Sequence, residues 1–233
     1  MLIRLIIIYF LTTMVPISGQ WQTFDLSKAN NNNFLKQTTP ILISSVLSLG
    51  QPTLMNLSEK KRFGIAILFP SGWDATNISV QTNPHIFPLM AEGQILVSNN
   101  LVLKGKMNLL SPKDELVNAA GYGIEYLQQT WTTSVNVGWL EGSKYLKIRM
   151  IGFNILWKRI LFEIPINLGV GHNNYRSIFL NLDEPEIPST YKNSLTYFVL
   201  ATPFHFKMFD VNVQTQIHSE FIQLNLQLLR SFF

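Results

Sequence analysis

A run near the end of the chain, Ile222–Leu228, alternates apolar and polar side chains without a break. Successive side chains of a β-strand point to opposite faces, so this period of two separates the apolar residues of the run from its Gln and Asn residues. The same alternation recurs in many short segments, and we find no stretch with convincing helical periodicity over three turns. The sequence therefore predicts an all-β fold.

Turn residues divide the chain into candidate strands. Ile86–Leu109 is interrupted by Ser98–Asn100, which predicts a β-hairpin. Ile65–Phe69 predicts a strand that ends at the turn-forming cluster Pro70–Trp73, and Ile41–Leu49 predicts the first strand. The count is about ten strands, with eight and twelve as alternatives.

Two segments in the middle of the chain break the simple alternation. In Tyr145–Trp157 the apolar positions change parity after Met150, which predicts a β-bulge at Gly152, because one extra residue re-phases a strand. Phe162–Val170 predicts the next strand, with a second bulge at Pro165, because proline cannot donate to a ladder.

The N-terminus has the layout of a secretory signal peptide. Arg4 precedes the apolar run Leu5–Leu11, and the small pair Ser18-Gly19 follows, so we predict cleavage after Gly19. Residues 20–40 are polar and predict a flexible lead-in, which leaves residues 41–233 as one β-barrel domain. The apolar run is too short for a membrane-spanning helix of roughly 20 residues.

Composition narrows the function classes. The chain has no cysteine, which excludes a disulfide framework, and only 14% of its 233 residues are charged, against roughly 25% in a typical soluble domain. Lipid is therefore a plausible solvent for one face of the sheet. The net charge of +4 is spread out, with Lys60–Arg62 as the only basic cluster, and this argues against nucleic-acid binding. That cluster predicts a solvated loop or a contact with lipopolysaccharide.

Trp131 and Trp139 bracket a regular alternating strand and share one of its faces. At about 3.3 Å per residue and a tilt near 40°, they are separated by about 20 Å along the barrel axis. Apolar bands of membrane barrels are roughly 25 Å tall and are flanked by aromatic girdles. We therefore predict that both Trp residues belong to such girdles.

The closing strand, with its terminal aromatic residue, resembles that of bacterial outer-membrane β-barrels. The resemblance implies an antiparallel up-and-down transmembrane barrel in the outer membrane of a diderm bacterium, with both termini on the periplasmic side. It also implies contact with outer-membrane lipid and lipopolysaccharide, and insertion by the barrel-assembly machinery. The implied C-terminal assembly signal is Leu224, Leu226, Leu228 and Phe233, although Phe232 is the aromatic residue in phase with Leu228.

The polar faces of the predicted strands supply candidate lumen-lining residues: Lys104, Lys106, Glu125, Asn136, Lys147, Arg149, Glu163 and Asn167. Side chains nearly fill a barrel of eight to ten strands, which favours a structural network. The surplus of Lys and Arg leaves open a narrow porin-like channel with slight anion preference. The alternative is a soluble periplasmic or secreted barrel or sandwich that binds an apolar ligand or a partner protein.

Catalytic and cofactor motifs are poorly supported. His85, His172, His205 and His218 have hydroxyl or amide neighbours in sequence, but no nucleophile-elbow motif accompanies them. We predict no enzymatic activity, metal site or cofactor; a lipid-modifying barrel enzyme is the remaining, less favoured alternative.

Overall fold

The computed structural model describes residues 20–21, 26, 34–75, 85–110, 117–142, 144–180 and 187–232. The predicted signal peptide and Phe233 lie outside these ranges. In chain order the elements are β1 (Gln20–Trp21), α1 (Phe34–Gly50), β2 (Phe63–Asp74), β3 (His85–Ile86), β4 (Met90–Leu96), β5 (Leu101–Asn108), β6 (Val117–Leu127), β7 (Trp131–Gly142), β8 (Leu146–Leu161), β9 (Ile164–Phe179), β10 (Thr190–His205), β11 (Asp210–Ile217) and β12 (Phe221–Phe232).

Ten of these strands, β2 and β4 to β12, form a closed antiparallel barrel. Each strand pairs with the next one along the chain, and β12 closes the barrel against β2 in a continuous register from Phe221↔Asp74 to Phe232↔Phe63. Closure leaves no long unpaired sheet edge. The prediction of an all-β up-and-down barrel of about ten strands is confirmed.

The two ends of the barrel differ in their connections. The turn mouth carries the end of β12 and the short turns at 97–100, 128–130, 162–163 and 206–209. At the loop mouth lie the strand ends that flank residues 75–89, 109–116, 143–145, 180–189 and 218–220, and several of these intervals are longer in sequence. At the loop mouth β3 pairs with β2, and β1 pairs with β3.

Helix α1 lies inside the barrel. Phe34 packs edge-on against Phe179 at the loop mouth, with ring centroids 4.7 Å apart, and Leu49 at the other end of the helix lies beside Gly138 of β7. From Leu42 to Gly50 every residue is buried, so the helix shows no amphipathic period. The predicted strand at Ile41–Leu49 is therefore wrong, and the helix begins within the segment predicted to be flexible. In the described part of the chain, no helix is long and apolar enough to span a membrane.

Beyond α1 the chain continues down the lumen in extended form. Met55 and Leu57 reach the wall near Gly64, at the turn mouth, where β2 begins. β1 and the start of α1 thus lie at the loop mouth, and Phe232 lies at the turn mouth. The two ends of the described chain are at opposite mouths, contrary to the expectation that both termini share one side.

The strand registers correct three local predictions. The β7–β8 and β8–β9 ladders continue through Gly152 and through Pro165 without an extra residue, so neither predicted bulge is present. β2 continues through Pro70, which is paired with Asn225 of β12. The pairing of β2 with β4 ends at Leu68, so the missing N–H of Pro70 costs no hydrogen bond to β4. The predicted turn at Pro70–Trp73 is therefore wrong.

Candidate functional site

The lumen of the barrel is closed by α1 and by the segment that follows it. A helix leaves its last carbonyl groups without intrahelical donors, and here the barrel wall supplies them. Asn173 Nδ2 donates to the Val46 carbonyl at 3.2 Å, and Asn154 Nδ2 donates to the Gly50 carbonyl at 3.1 Å. Tyr197 Oη lies 3.4 Å from the same carbonyl and donates its single proton to Asn154 Oδ1 at 2.7 Å.

Wall residues also hold the extended segment below the helix. The carbonyls of Gln51, Pro52 and Thr53 accept hydrogen bonds from Lys106 Nζ at 3.2 Å, Gln227 Nε2 at 3.2 Å and Gln94 Nε2 at 3.1 Å. The cationic Lys106 lies beside the negative end of the helix dipole, where a cation is favourable. We call α1 together with residues 51–57 the plug. The wall groups that contact it come from six strands, so the wall holds the plug from most directions.

The charged groups at the middle of the lumen are paired. Lys104 Nζ lies 3.2 Å from Glu125 Oε2, and Lys106 Nζ lies 3.6 Å from Glu92 Oε2, with all four side chains buried. Among the described buried residues of the lumen, two acidic groups therefore balance two basic ones. The surplus of inward-facing cations expected from the sequence is not found there.

The structure separates the predicted lumen-lining residues into two groups. Lys104, Lys106, Glu125, Asn136 and Asn167 are buried inside the barrel. Lys147 and Arg149 are exposed on its outer surface, because β8 keeps one register throughout and places Leu146, Ile148 and Met150 inward. Glu163 is also exposed and lies in the β8–β9 turn, where Phe162 and Glu163 both have positive φ, as a two-residue type I′ turn requires. The prediction that these three residues line the lumen is wrong.

The loop-mouth half of the lumen is apolar. Leu42, Ile43, Val46 and Leu47 of α1 are buried there, in one core with inward side chains of the wall: Val117, Leu140, Leu146, Ile148, Met150, Tyr175, Phe179 and Leu195. The hydroxyl groups of α1 do not interrupt this core, because Thr38 and Ser45 donate to carbonyls four residues earlier, at 2.7 and 2.6 Å.

Glycines on the wall make room for the helix. Inward-facing positions on four neighbouring strands lack a side chain: Gly121, Gly123, Gly138, Gly152, Gly169 and Gly171. A Cβ added at Gly138 would lie 3.1 Å from both Leu49 Cβ and Met150 Sδ. The helix axis can therefore approach this side of the wall closely.

The outer surface of the barrel is apolar over its whole circumference. Each of the ten barrel strands exposes at least one large apolar side chain, for example Ile65, Ile95, Leu103, Tyr122, Val135, Phe153, Leu168, Phe198, Ile217 and Leu228. We call this surface the apolar belt. Soluble monomers seldom expose contiguous apolar patches larger than about 300–600 Å².

The belt has defined edges. On β8 the outward residues from Ile151 to Trp157 are apolar, and Arg149 and Arg159 flank them. These arginines are ten positions apart, which gives about 33 Å along the strand and about 25 Å along the axis at a tilt near 40°. Trp131 and Trp139 face outward near the two edges, and their rings lie 5.8 Å from Tyr126 and 6.2 Å from Tyr122.

The closing strand contributes to both surfaces. Leu224, Leu226 and Leu228 face outward, whereas Gln223, Asn225 and Gln227 are buried in the lumen. Phe232 shares the outward parity and stacks on Phe63, with ring centroids 6.0 Å apart. Phe233 lies outside the described residues.

A vestibule of about 540 Å³ opens at the turn mouth, below the plug. Leu54 and Met55 line it from the plug, and Thr132, Lys158 and Asn167 line it from the wall. The vestibule does not continue through the barrel, because the extended segment and α1 fill the lumen above it.

Three histidines, His172, His205 and His218, lie apart from one another and are exposed or half-buried. His172 Nδ1 is 2.8 Å from Thr196 Oγ1 on the outer wall, and His205 Nδ1 is 2.9 Å from Asp210 Oδ1 at the turn mouth. The turn residue His218 accepts a hydrogen bond at Nδ1 from the Glu220 amide at 3.2 Å, and burial lowers the pKa of His218 while the Glu220 carboxylate partly offsets this. In the part of the chain that the structure describes, no three His, Asp or Glu side chains form a group suited to a metal ion.

Comparisons with known proteins leave the function open. No protein-family model and no curated protein matches the sequence. Among solved structures, the attachment invasion locus protein Ail of Yersinia pestis is 7% identical and has a TM-score of 0.29, with 76% of this chain and 99% of Ail covered. An outer membrane channel from Pseudomonas putida F1 is 9% identical with a TM-score of 0.42, covering 78% of this chain and 99% of that one. The KdgM porin is 9% identical with a TM-score of 0.33, covering 72% and 99%. Similarity this low assigns neither family nor function, so the architecture rests on the strand pairing itself.

Sequence reasoning missed the plug and the wall groups that contact it, among them Asn154, Asn173 and Tyr197. Two features of the sequence point to it. Residues 37–58 contain no charged side chain, and glycines recur at inward positions of β6 to β9, opposite the helix. Together they describe an uncharged segment and a wall with space to receive it.

Proposed function

We propose that this protein is an outer-membrane β-barrel with a structural role. Its lumen is closed by its own N-terminal helix. The apolar belt is the observation that carries the proposal. The belt includes all ten strands, and on β8 its height between Arg149 and Arg159 is about 25 Å, which matches the apolar band of membrane barrels. A soluble ligand-binding barrel would need the opposite arrangement, with the polar face outside.

The packing of α1 favours a closed lumen over an open pore. Leu42, Ile43, Val46, Leu47 and Leu49 are all buried, and each buried side chain of this kind contributes about 1.5–3 kcal/mol. Withdrawal of the helix would also take away the carbonyl groups to which the wall donors Asn154 and Asn173 bind. The plug is therefore part of the folded core.

The remaining assignments follow from this proposal. Short turns on the periplasmic side and longer loops outside are typical of bacterial barrels, so the turn mouth faces the periplasm. Residues 1–19 act as the export signal, and β12 with its terminal aromatic residue is recognised by the barrel-assembly machinery. Trp131 and Trp139 anchor the barrel at the two edges of the lipid.

Heat modifiability tests the membrane assignment. The mature chain is refolded with and without detergent, and its gel mobility is compared with and without boiling. We expect a faster unboiled band that forms only with detergent. A monodisperse β-protein that folds without detergent would refute the proposal and favour the soluble alternative.

Planar-bilayer recording tests the closed lumen. We expect the detergent-folded protein to insert without steady conductance. A matched variant, Leu47→Ala with Leu49→Ala, loosens the plug and should produce conductance events while retaining the heat-modified band. Steady conductance of the unmodified protein would show that the lumen is an open channel.

A further inference from the structure

A row of basic side chains crosses the outer surface on the loop-mouth side of the apolar belt. Arg149 of β8 pairs directly with Arg176 of β9, and Arg176 pairs directly with Lys192 of β10. All three side chains are exposed and share the outward face. With strands about 4.8 Å apart, the row spans about 10 Å.

These three cations have no counter-charge in the described part of the chain. None of them forms a salt bridge there, whereas the neighbouring Lys147 lies 2.9 Å from Glu141. Like charges directly opposite each other in a sheet are destabilising. A fixed anion from outside the chain would remove this repulsion.

The surface below the row changes in steps toward the turn mouth. On β9 and β10 the next outward pairs are polar, Asn174 with Ser194 and His172 with Thr196. The apolar pair Val170 and Phe198 follows, and then Leu168 and Leu200. A groove of about 570 Å³ runs along the upper part, lined by Arg149, Asn174, Arg176, Lys192 and Ser194.

We infer that this surface binds the phosphorylated headgroup of a glycolipid in the outer leaflet. Phosphates would pair with Arg149, Arg176 and Lys192 through charge-assisted hydrogen bonds. Sugar hydroxyls would meet the amide, hydroxyl and imidazole groups of the next two pairs, and acyl chains would lie on Val170, Phe198 and Leu200. The inference rests on the proposed membrane insertion, with the loop mouth facing outward.

The basic cluster visible in the sequence, Lys60–Arg62, is not this site. It lies between the bridge at Ser58 and the start of β2, at the turn mouth. Together with Lys207 of the β10–β11 turn, the cluster supplies a matched control. Lys60→Gln, Lys61→Gln and Lys207→Gln remove three charges at exposed positions from the opposite end of the barrel.

The experiment measures binding of purified lipid A to the detergent-folded protein by native mass spectrometry and by quenching of tryptophan fluorescence. We expect saturable binding that weakens at least about tenfold in the triple variant Arg149→Gln, Arg176→Gln, Lys192→Gln, since the loss of one charge-assisted bond has an effect of this size. The turn-mouth control should bind as the unmodified protein does. Dephosphorylated lipid A should bind more weakly, and inorganic phosphate at equal concentration should not compete.

Equal weakening in both triple variants would overturn the inference, because it would indicate general charge attraction. Equal binding of dephosphorylated lipid A would overturn the inference by showing that the apolar belt alone binds the lipid. Full competition by inorganic phosphate would overturn it by showing that the basic row binds any small anion. Every protein is first checked for the detergent-dependent, heat-modified band. Loss of that band in the unmodified protein refutes the proposed function, whereas variants that keep the band and bind lipid A normally refute only this inference. If the triple variant does not fold, Arg176→Gln alone tests the centre of the row.

Discussion

Two halves of β8 follow one pleat but have opposite surroundings. In the half near the loop mouth, Leu146, Ile148 and Met150 face the lumen while Lys147 and Arg149 face outward. In the other half, Gly152 and Asn154 face the lumen while Ile151, Phe153 and Trp157 face outward. Arg149 and Ile151 thus share one surface across the edge of the belt. The environment therefore changes along this strand, whereas its register with the neighbouring strands does not.

This contrast explains why the alternation in the sequence looks broken at Gly152. A change in the parity of apolar residues has two physical causes: an inserted residue, or a change in the surroundings of the strand along its length. Both yield the same pattern along the chain. The uninterrupted ladders to β7 and β9 show that the second cause applies here.

The largest effect should come from a charge inside the loop-mouth half. Ile148 is fully buried there, so Ile148→Asp places an unpaired carboxylate in an apolar core and should cost more than about 4 kcal/mol. We expect loss of the heat-modified band. Lys147→Gln, one residue away on the exposed face, is the control and should fold normally. A folded Ile148→Asp protein would contradict the inward assignment of this half.

A charge on the belt should have the next largest effect. Phe153 is exposed at the middle of the β8 belt, and Phe153→Lys should cost about 2–4 kcal/mol in a bilayer, the cost expected at its midplane. Folding yield and urea unfolding in phospholipid vesicles measure it. Arg149→Lys on the same outward face should be nearly neutral. A belt that tolerates Phe153→Lys as well as Phe153→Leu would not face lipid.

A smaller loss is expected from the polar wall of the lumen. Asn154 donates to the Gly50 carbonyl and accepts a hydrogen bond from Tyr197 Oη at 2.7 Å. Asn154→Leu removes the hydrogen bond at 3.1 Å to the Gly50 carbonyl and the acceptor at 2.7 Å of the Tyr197 hydroxyl, and it should lower the free energy of unfolding by about 1–3 kcal/mol. Urea unfolding with Thr133→Val, an outward-facing control on β7, checks this. Equal stability of the two variants would show that wall donors do not hold the plug.

The smallest effect concerns the β11–β12 turn. Because the pKa of His218 is lowered, the folded protein binds its proton more weakly than the unfolded chain does. The contribution to stability is therefore present above the ordinary histidine value of about 6.5 and is lost as the pH falls through the lowered value. NMR titration, with His218→Gln to assign the resonance, measures that pKa. A value at or above 6.5 would contradict the half-buried setting of the ring.

Sequence reasoning located the inward polar residues that lie level with the apolar belt. Lys104 and Lys106 on β5, Glu125 on β6 and Asn136 on β7 all lie inside as their parity indicated. Lys147 and Arg149 were misplaced because they lie beyond the belt. The position of Glu163 was predicted wrongly because only two residues join β8 to β9. In the sequence these two turn residues continue the alternation of the following strand.

The sequence by itself determined the fold class, the approximate strand number and the apolar and polar faces of most strands, because side-chain alternation is a local property of the pleat. The tertiary structure was needed to show which face of each strand meets the lumen and where the surroundings invert along β8. It was also needed to show that residues 34–50 form a helix inside the barrel. That helix is buried on every side, so it carries no amphipathic pattern. Its partners are wall groups more than 100 residues away, such as Asn154 and Asn173, which only closure of the barrel brings around it.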